Sequence, residues 1–179
     1  RQRQMCIRDR YWQNTPRKPR CNGLIFMIFG KTKTMPEHVY FSSESTLAVP
    51  FFDVDTLEVA WHGHYVKYFE IARCDLLDQI GHNYNDMRQA GFAWPIVRLE
   101  IKYLRPARFG QKLTIRADVV EYESCLKVRY TIFDTLTHTV LTRGFTMQAA
   151  VRLDNGEMQL QTPAVWQQAI RSHARFSNN

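Results

Sequence analysis

One stretch of this chain limits its fold more than any other. Tyr65, Phe69, Ala72, Leu76 and Ile80 recur at spacings of four and three, and Tyr68, Ile71 and Leu77 widen the stripe. A helix apolar over so much of its circumference is not a surface helix; its surroundings must largely enclose it. The spacing predicts a helix over 64–80, with Gly81 as its stop. At ~1.5 Å per residue that helix is about 25 Å long.

The period then changes. A short helix over 83–92 ends in a turn at Gly91, and Trp94–Leu104, Lys112–Tyr122, Leu126–Asp134 and Val140–Leu153 each alternate or run apolar. Turn formers separate them: Arg105-Pro106, Gly110-Gln111, Glu123-Ser124 and Thr135-Leu136-Thr137, with Asp154-Asn155-Gly156-Glu157 breaking the last. Upstream of the helix, Leu47–Asp53 reads as a strand in which Pro50 is tolerated only at an edge or bulge. Thr162-Pro163 opens a C-terminal helix, the threonine as N-cap and the proline at the first helical position. A strand, one long buried helix and then four or more antiparallel strands make an α+β domain, a curved antiparallel sheet of about five strands around a central helix.

The net charge of +7 over 179 residues raises the question of a nucleic-acid partner. Its placement argues against one. Residues 1–34 hold nine Lys/Arg and a single acid, Asp9, so the remainder carries about −1 and presents no field for a polyanion. Residues 1–34 also lack a sustained apolar period, and Gln4–Arg10 resembles the translation of a sequencing-library adapter. We expect a non-native or disordered leader over 1–34, one domain over 35–179, and a native start at Met35 or Met27. The apolar run Leu24–Phe29 is too short to span a bilayer. Cys6, Cys21, Cys74 and Cys125 show no metal or redox spacing, which suits reduced thiols in a cytoplasmic protein.

Between the first strand and the helix lies a cluster of chemistry-bearing residues. Asp55 leaves the strand, and His62 stands at the helix entrance, where backbone N–H groups and the helix dipole favour developing negative charge. A carboxylate that attacks a carbonyl or activates water, beside such donors, is what acyl transfer requires. Taken singly, Asp55 is also a residue that bonds its own loop, and His62 one that caps a helix. Asp53, two residues earlier, shares the face of Asp55 if both lie on a strand, and we assign it loop ordering. Asp53, Asp55, His62 and His64 are metal-ligating types, but His62 and His64 point about 200° apart on a helix, so no metal or other cofactor is expected. Glu70 and Arg73, at i and i+3, form a structural ion pair.

Asp55-x6-His62-x2-Tyr65, Phe69-Glu70-x-Ala72-Arg73 and Tyr103-x-x-Pro106-Ala107 resemble, in order and spacing, the hot-dog thioesterases of the 4-hydroxybenzoyl-CoA type. That family includes members found beside Tol-Pal genes, and the segment Trp61–Glu70 resembles thioesterases of aryl-polyene gene clusters. The resemblance covers about residues 45–155 and implies a hot-dog fold and hydrolysis of acyl-CoA or acyl-carrier-protein thioesters in lipid metabolism. It implies Asp55 and His62 as catalytic, with Gly63, His64, Tyr65, Arg105 and Arg108 against the substrate. Lys102, Arg129 and Arg143 are further candidates for coenzyme A phosphates. A homodimer or a dimer of dimers is the assembly it implies. One departure concerns the loop after Asp55, where the family often has glycine and this chain has Thr56-Leu57-Glu58.

Two rivals share the scaffold. A hot-dog dehydratase or hydratase usually sets Asp and His about five residues apart with an Asn between, whereas here the spacing is seven and the loop has no Asn. A non-catalytic acyl-binding domain would lose the carboxylate that Asp55 supplies.

Overall fold

The computed structural model describes residues 37–173; the leader over 1–34, with Cys6, Cys21 and Met27, and the other candidate start, Met35, lie outside them. The elements run β1 (Phe41–Ala48), α1 (His64–Ile80), α2 (Tyr84–Gln89), β2 (Phe92–Ala93), β3 (Ile96–Tyr103), β4 (Lys112–Glu121), β5 (Leu126–Asp134), β6 (Val140–Gln148), β7 (Val151–Arg152) and α3 (Ala164–His173). Five strands form one antiparallel sheet in the order β1-β4-β5-β6-β3, and β2 pairs β7 separately.

α1 has the predicted bounds, and Gly81 ends it in the left-handed conformation at φ 73°. Its stripe of Tyr65, Phe69, Ala72, Leu76 and Ile80 is buried in one core with Leu113, Ile115, Ala117 and Val119 of β4 and Val128, Tyr130 and Ile132 of β5. Phe69 stacks on Tyr130 with ring centroids 4.3 Å apart and planes 9° from parallel. Gly144 on β6 permits that stack. A Cβ there would lie 2.4 Å from the Glu100 carbonyl oxygen and 2.8 Å from the Phe69 ring. Arg73 is buried beside this layer, donating to Glu70, Tyr84, Tyr130 and Thr146, so the predicted ion pair belongs to a larger network.

Three expectations are corrected. The first strand is 41–48, not 47–53, because Ser43 and Ser45 occupy buried inward positions where an apolar alternation would have been visible. Pro50, without an N–H, ends the pairing, and Phe51–Asp53 coils into a single 3₁₀ turn. The predicted 94–104 strand is shortened to 96–103, β3 at the edge of the large sheet, because Pro95 separates it from β2, which lies upstream of that segment in the small sheet. Thr162 does not cap α3 with its side chain; its hydroxyl donates to the Tyr122 carbonyl at 2.6 Å and accepts from Gln167.

Candidate active site

The site is assembled from the loop between β1 and α1, the first turn of α1, and the strand end that follows β3. Val54 bridges Ala60, the Asp55 N–H donates to the Val59 carbonyl at 3.0 Å, and the Glu58 N–H donates to the Asp55 carbonyl at 3.0 Å. Residues 55–58 therefore form a tight turn, with Glu58 at φ 59°. That is the left-handed conformation a glycine takes most easily, so the non-glycine loop noted in the sequence keeps a glycine-like backbone at some strain.

The loop is pinned on two further sides. The Trp61 N–H donates to the Asp53 carbonyl at 2.9 Å. Along the other edge the Ala60 N–H donates to the Ala107 carbonyl at 2.8 Å, and Val59 bridges Arg108. The Ala107 N–H in turn donates to Tyr65 Oη at 3.0 Å, tying this segment to the first turn of α1.

Asp53 and Asp55 have opposite environments. Asp53 is 1% exposed and accepts from Lys67 Nζ and, at 2.9 Å, from Tyr68 Oη; His64 Nδ1 lies 3.7 Å away. Burial pushes its carboxyl up, but the hydrogen bonds and charge of Lys67 and the Tyr68 bond outweigh that and hold it below the usual carboxylate range. Burial and the Asp53 carboxylate push the Tyr68 hydroxyl well up. On a strand the two aspartates would share a face; the 3₁₀ turn at 51–53 instead sends Asp53 inward. Asp55 is exposed, with Oδ1 accepting the Leu57 N–H at 2.8 Å and no partner on Oδ2 among the described residues.

A groove of about 310 Å³ opens between the first turn of α1 and the strand end, lined by His62, Tyr65, Tyr103, Leu104, Arg105 and Pro106 over Ala60. Among the predicted residues it gathers His62, Tyr65 and Arg105. Asp55 and Arg108 do not line it; they are joined through Val59, which accepts from the Asp55 N–H and bridges Arg108. Gly63 is the residue before the helix, with the Trp61 indole lying so close that a Cβ would fall 2.0 Å from the ring. His64 turns away from the groove toward Asp53 and the Trp61 ring. Arg105 Nη1 donates to the Val140 carbonyl at 3.1 Å. The backbone N–H groups of His62 and Gly63 have no acceptor among the described residues. Lys67, Tyr68 and Tyr103 had no role assigned from sequence, although Tyr103 belongs to a quoted motif. Among the described residues no cluster of three or more His, Cys, Asp or Glu is placed to hold a metal ion.

The family model of the thioesterase-like superfamily matches residues 49–172. The chain belongs to that superfamily. Its curated relatives include Bacillus subtilis YneP, 25% identical over 80 residues that span 45% of this chain and 58% of that protein. Another is the chloroplast acyl-acyl carrier protein thioesterase ATL2 of Arabidopsis thaliana, 30% identical over 76 residues, 42% of this chain and 40% of that one. This thioesterase-like chain thus spans between about two-fifths and three-fifths of the curated relatives it matches. Among solved structures, a 1,4-dihydroxy-2-naphthoyl-CoA thioesterase from Synechocystis superposes with a TM-score of 0.68 over 74% of this chain and 98% of that one. At 20% identity that likeness establishes the hot-dog fold.

Proposed function

We propose that this protein hydrolyses acyl thioesters of coenzyme A or acyl carrier protein to the free acid and the thiol. The observation that carries the reading is an exposed carboxylate, Asp55, on the loop that leads into the helix start, where the His62 N–H is free of acceptors among the described residues and His62 lines a groove, all within a thioesterase-like domain. In this reading the thioester carbonyl lies over the helix N-terminus. Asp55 takes a proton from a water that attacks the carbonyl carbon, or attacks it itself to form an acyl anhydride that water then hydrolyses; the oxyanion rests on the helix-start N–H, and the pantetheine sulfur leaves as thiolate. Arg105 and Arg108, on the groove's rim and beside its loop, face the carrier's phosphates. Both kinds of carrier occur in the names of proteins this chain resembles.

The working unit we propose is a homodimer, itself able to pair into a tetramer. β3 is an edge strand with one row of backbone groups unpaired and with exposed Ile96, Val97 and Leu99 on its faces, and the groove opens at its C-terminal end. Unpaired apolar edges invite pairing. A two-fold axis at Leu99 sets Arg98 of each copy opposite Glu100 of the other, while Leu99 and Ile101 continue the helix-side face. Cys74 and Cys125 are free, which suits a reducing cytoplasm, and no helix among the described residues is long and apolar enough to cross a membrane. The test of the activity is a panel of aryl-, short- and long-chain acyl thioesters on both carriers. Turnover by the wild type and none by Asp55→Asn supports the reading; no turnover of any member overturns it.

A further inference from the structure

A row of directly opposed residues crosses all five strands of the large sheet: Glu44 on β1, Arg116 on β4, Thr131 on β5, Arg143 on β6 and Lys102 on β3. It lies on the face away from α1, because Ile115 and Ala117, the neighbours of Arg116, point into the core. Adjacent strands are ~4.8 Å apart, so the Arg116 and Arg143 backbones stand about 10 Å from each other with only a short side chain, Thr131, between them. Arg129, two residues before Thr131, brings a third guanidinium to the same face. These residues and Phe133 line a groove of about 510 Å³. Asp118 braces it. That carboxylate is 4% exposed and accepts from Ser42 Oγ at 2.6 Å, Arg116 Nε at 2.9 Å and Arg129 Nη2 at 3.0 Å. Burial pushes its carboxyl up, but these three bonds outweigh that and hold it below the usual carboxylate range. Glu37, 3.6 Å from Arg129 Nη1, is bonded to Lys127. Arg143 enters no ion pair among the described residues and faces Lys102, a like charge directly opposite, which costs stability unless an anion lies over the pair.

From this geometry we infer that the outer face of the sheet carries a second binding site, for a phosphate ester of nucleotide size, seated over Thr131 between Arg116, Arg129 and Arg143. Guanidinium forks match phosphate oxygens two at a time, and the Thr131 hydroxyl supplies one further donor. Four cations, Lys102 included, face two carboxylates, Glu44 and Asp118, in a chain that is nearly neutral beyond residue 34, so the excess of positive charge is local to this groove. The site shares no residue with the groove at His62 and stands whether or not the thioester-hydrolase reading does. The nucleotide end of coenzyme A and a free nucleotide both carry the chemistry it fits.

The test is calorimetric titration of the full chain with ADP, pyrophosphate and coenzyme A at low ionic strength. ADP should bind, and Arg143→Ala should weaken it about tenfold by removing a charge-assisted pair of hydrogen bonds. Thr131→Leu keeps every charge and fills the hollow, and should weaken ADP by a similar factor. Unliganded Arg143→Ala should melt no lower than the wild type, because the opposed Lys102 is relieved. Two arms separate the sources. If Arg143→Ala raises KM for an acyl-CoA but not for the acyl-pantetheine that lacks the nucleotide, the ligand is the carrier's own nucleotide end. If ADP binding is lost at unchanged KM, the ligand is a free nucleotide. Either outcome sustains the site, and should the wild type hydrolyse no thioester, the ADP titration still decides. No binding of ADP or pyrophosphate at millimolar concentration overturns the inference, as does binding that both variants leave unchanged or binding of an acidic carrier protein alone.

Discussion

Replacing each of two aspartates by asparagine should separate stability from chemistry. Asp53→Asn removes the charge that Lys67 and Tyr68 share. The Lys67 side chain is 42% exposed, so its pair counts as a surface pair and contributes about 0.5–1 kcal/mol. The Tyr68 hydroxyl is buried, and exchanging its charged acceptor for a neutral amide oxygen costs about 1–1.5 kcal/mol. The sum, about 2 kcal/mol, corresponds to a melting temperature roughly 6 °C lower for a domain of this size. Asp55→Asn should leave the melting temperature within about 1 °C, because the amide oxygen still accepts the Leu57 N–H in an exposed turn. The activities should run the other way. Loss of the nucleophile or base at Asp55 should lower kcat at least ~10²-fold, or roughly 2.7 kcal/mol of barrier, while Asp53→Asn keeps most of its turnover below its own melting point. His62→Ala should fall between them, since its backbone N–H survives the change. Calorimetry and steady-state kinetics on the same three proteins decide the matter. An inactive, stable Asp53→Asn beside an active Asp55→Asn would refute the assignment of the two carboxylates.

Three other outcomes follow from the packing and the edge. Gly144→Ala forces a methyl against the Glu100 carbonyl and the Phe69 ring, and should cost about 1–3 kcal/mol by overpacking, read as a lowered denaturation midpoint at unchanged slope. His82 is buried near Trp166, and burial pushes its imidazole below the ordinary value. The folded state thus prefers the neutral ring, so its contribution is intact above about pH 6.5 and is lost as the pH falls toward the depressed value; His82→Phe should flatten the stability profile there. At the β3 edge, Arg98→Glu should weaken self-association and Arg98→Glu/Glu100→Arg should restore it, measured by sedimentation equilibrium; a double variant no tighter than the single one refutes the Leu99-centred register.

How much of this could be read before the structure depends on which physical signal each residue leaves in the chain. α1 was readable to the residue because its buried half demands apolar side chains at helical spacing and Gly81 marks its end, but Ile71, read as part of that stripe, is 40% exposed and the opposite half of the helix is open. β5 was equally plain, alternating between buried and half-buried positions over Leu126–Asp134. β1 was not, because its inward positions beside the crowded helix take Ser43 and Ser45, and Ser45 Oγ donates to Asp75 at 2.5 Å instead of packing as a hydrocarbon. Tyr103 was present in a recognised motif, but its partner is a backbone carbonyl 41 residues away, and a carbonyl has no letter in the sequence.

The aspartates show the limit most sharply. Residues at i and i+2 share a face only if the backbone is extended, and whether it is extended at 51–53 is decided by Pro50 withdrawing a donor from the ladder. Once that turn forms, Asp53 is carried under α1, where the partner able to neutralise it is Lys67, fourteen residues on and otherwise an unremarkable surface lysine. Asp55 emerges on the far side of the turn with one oxygen engaged and the other free. The buried member is thus held charged by its partners and orders the loop, and the exposed member keeps the freedom to meet a substrate. An aspartate pair that looks redundant in the sequence is divided between structure and chemistry by one turn of 3₁₀ helix.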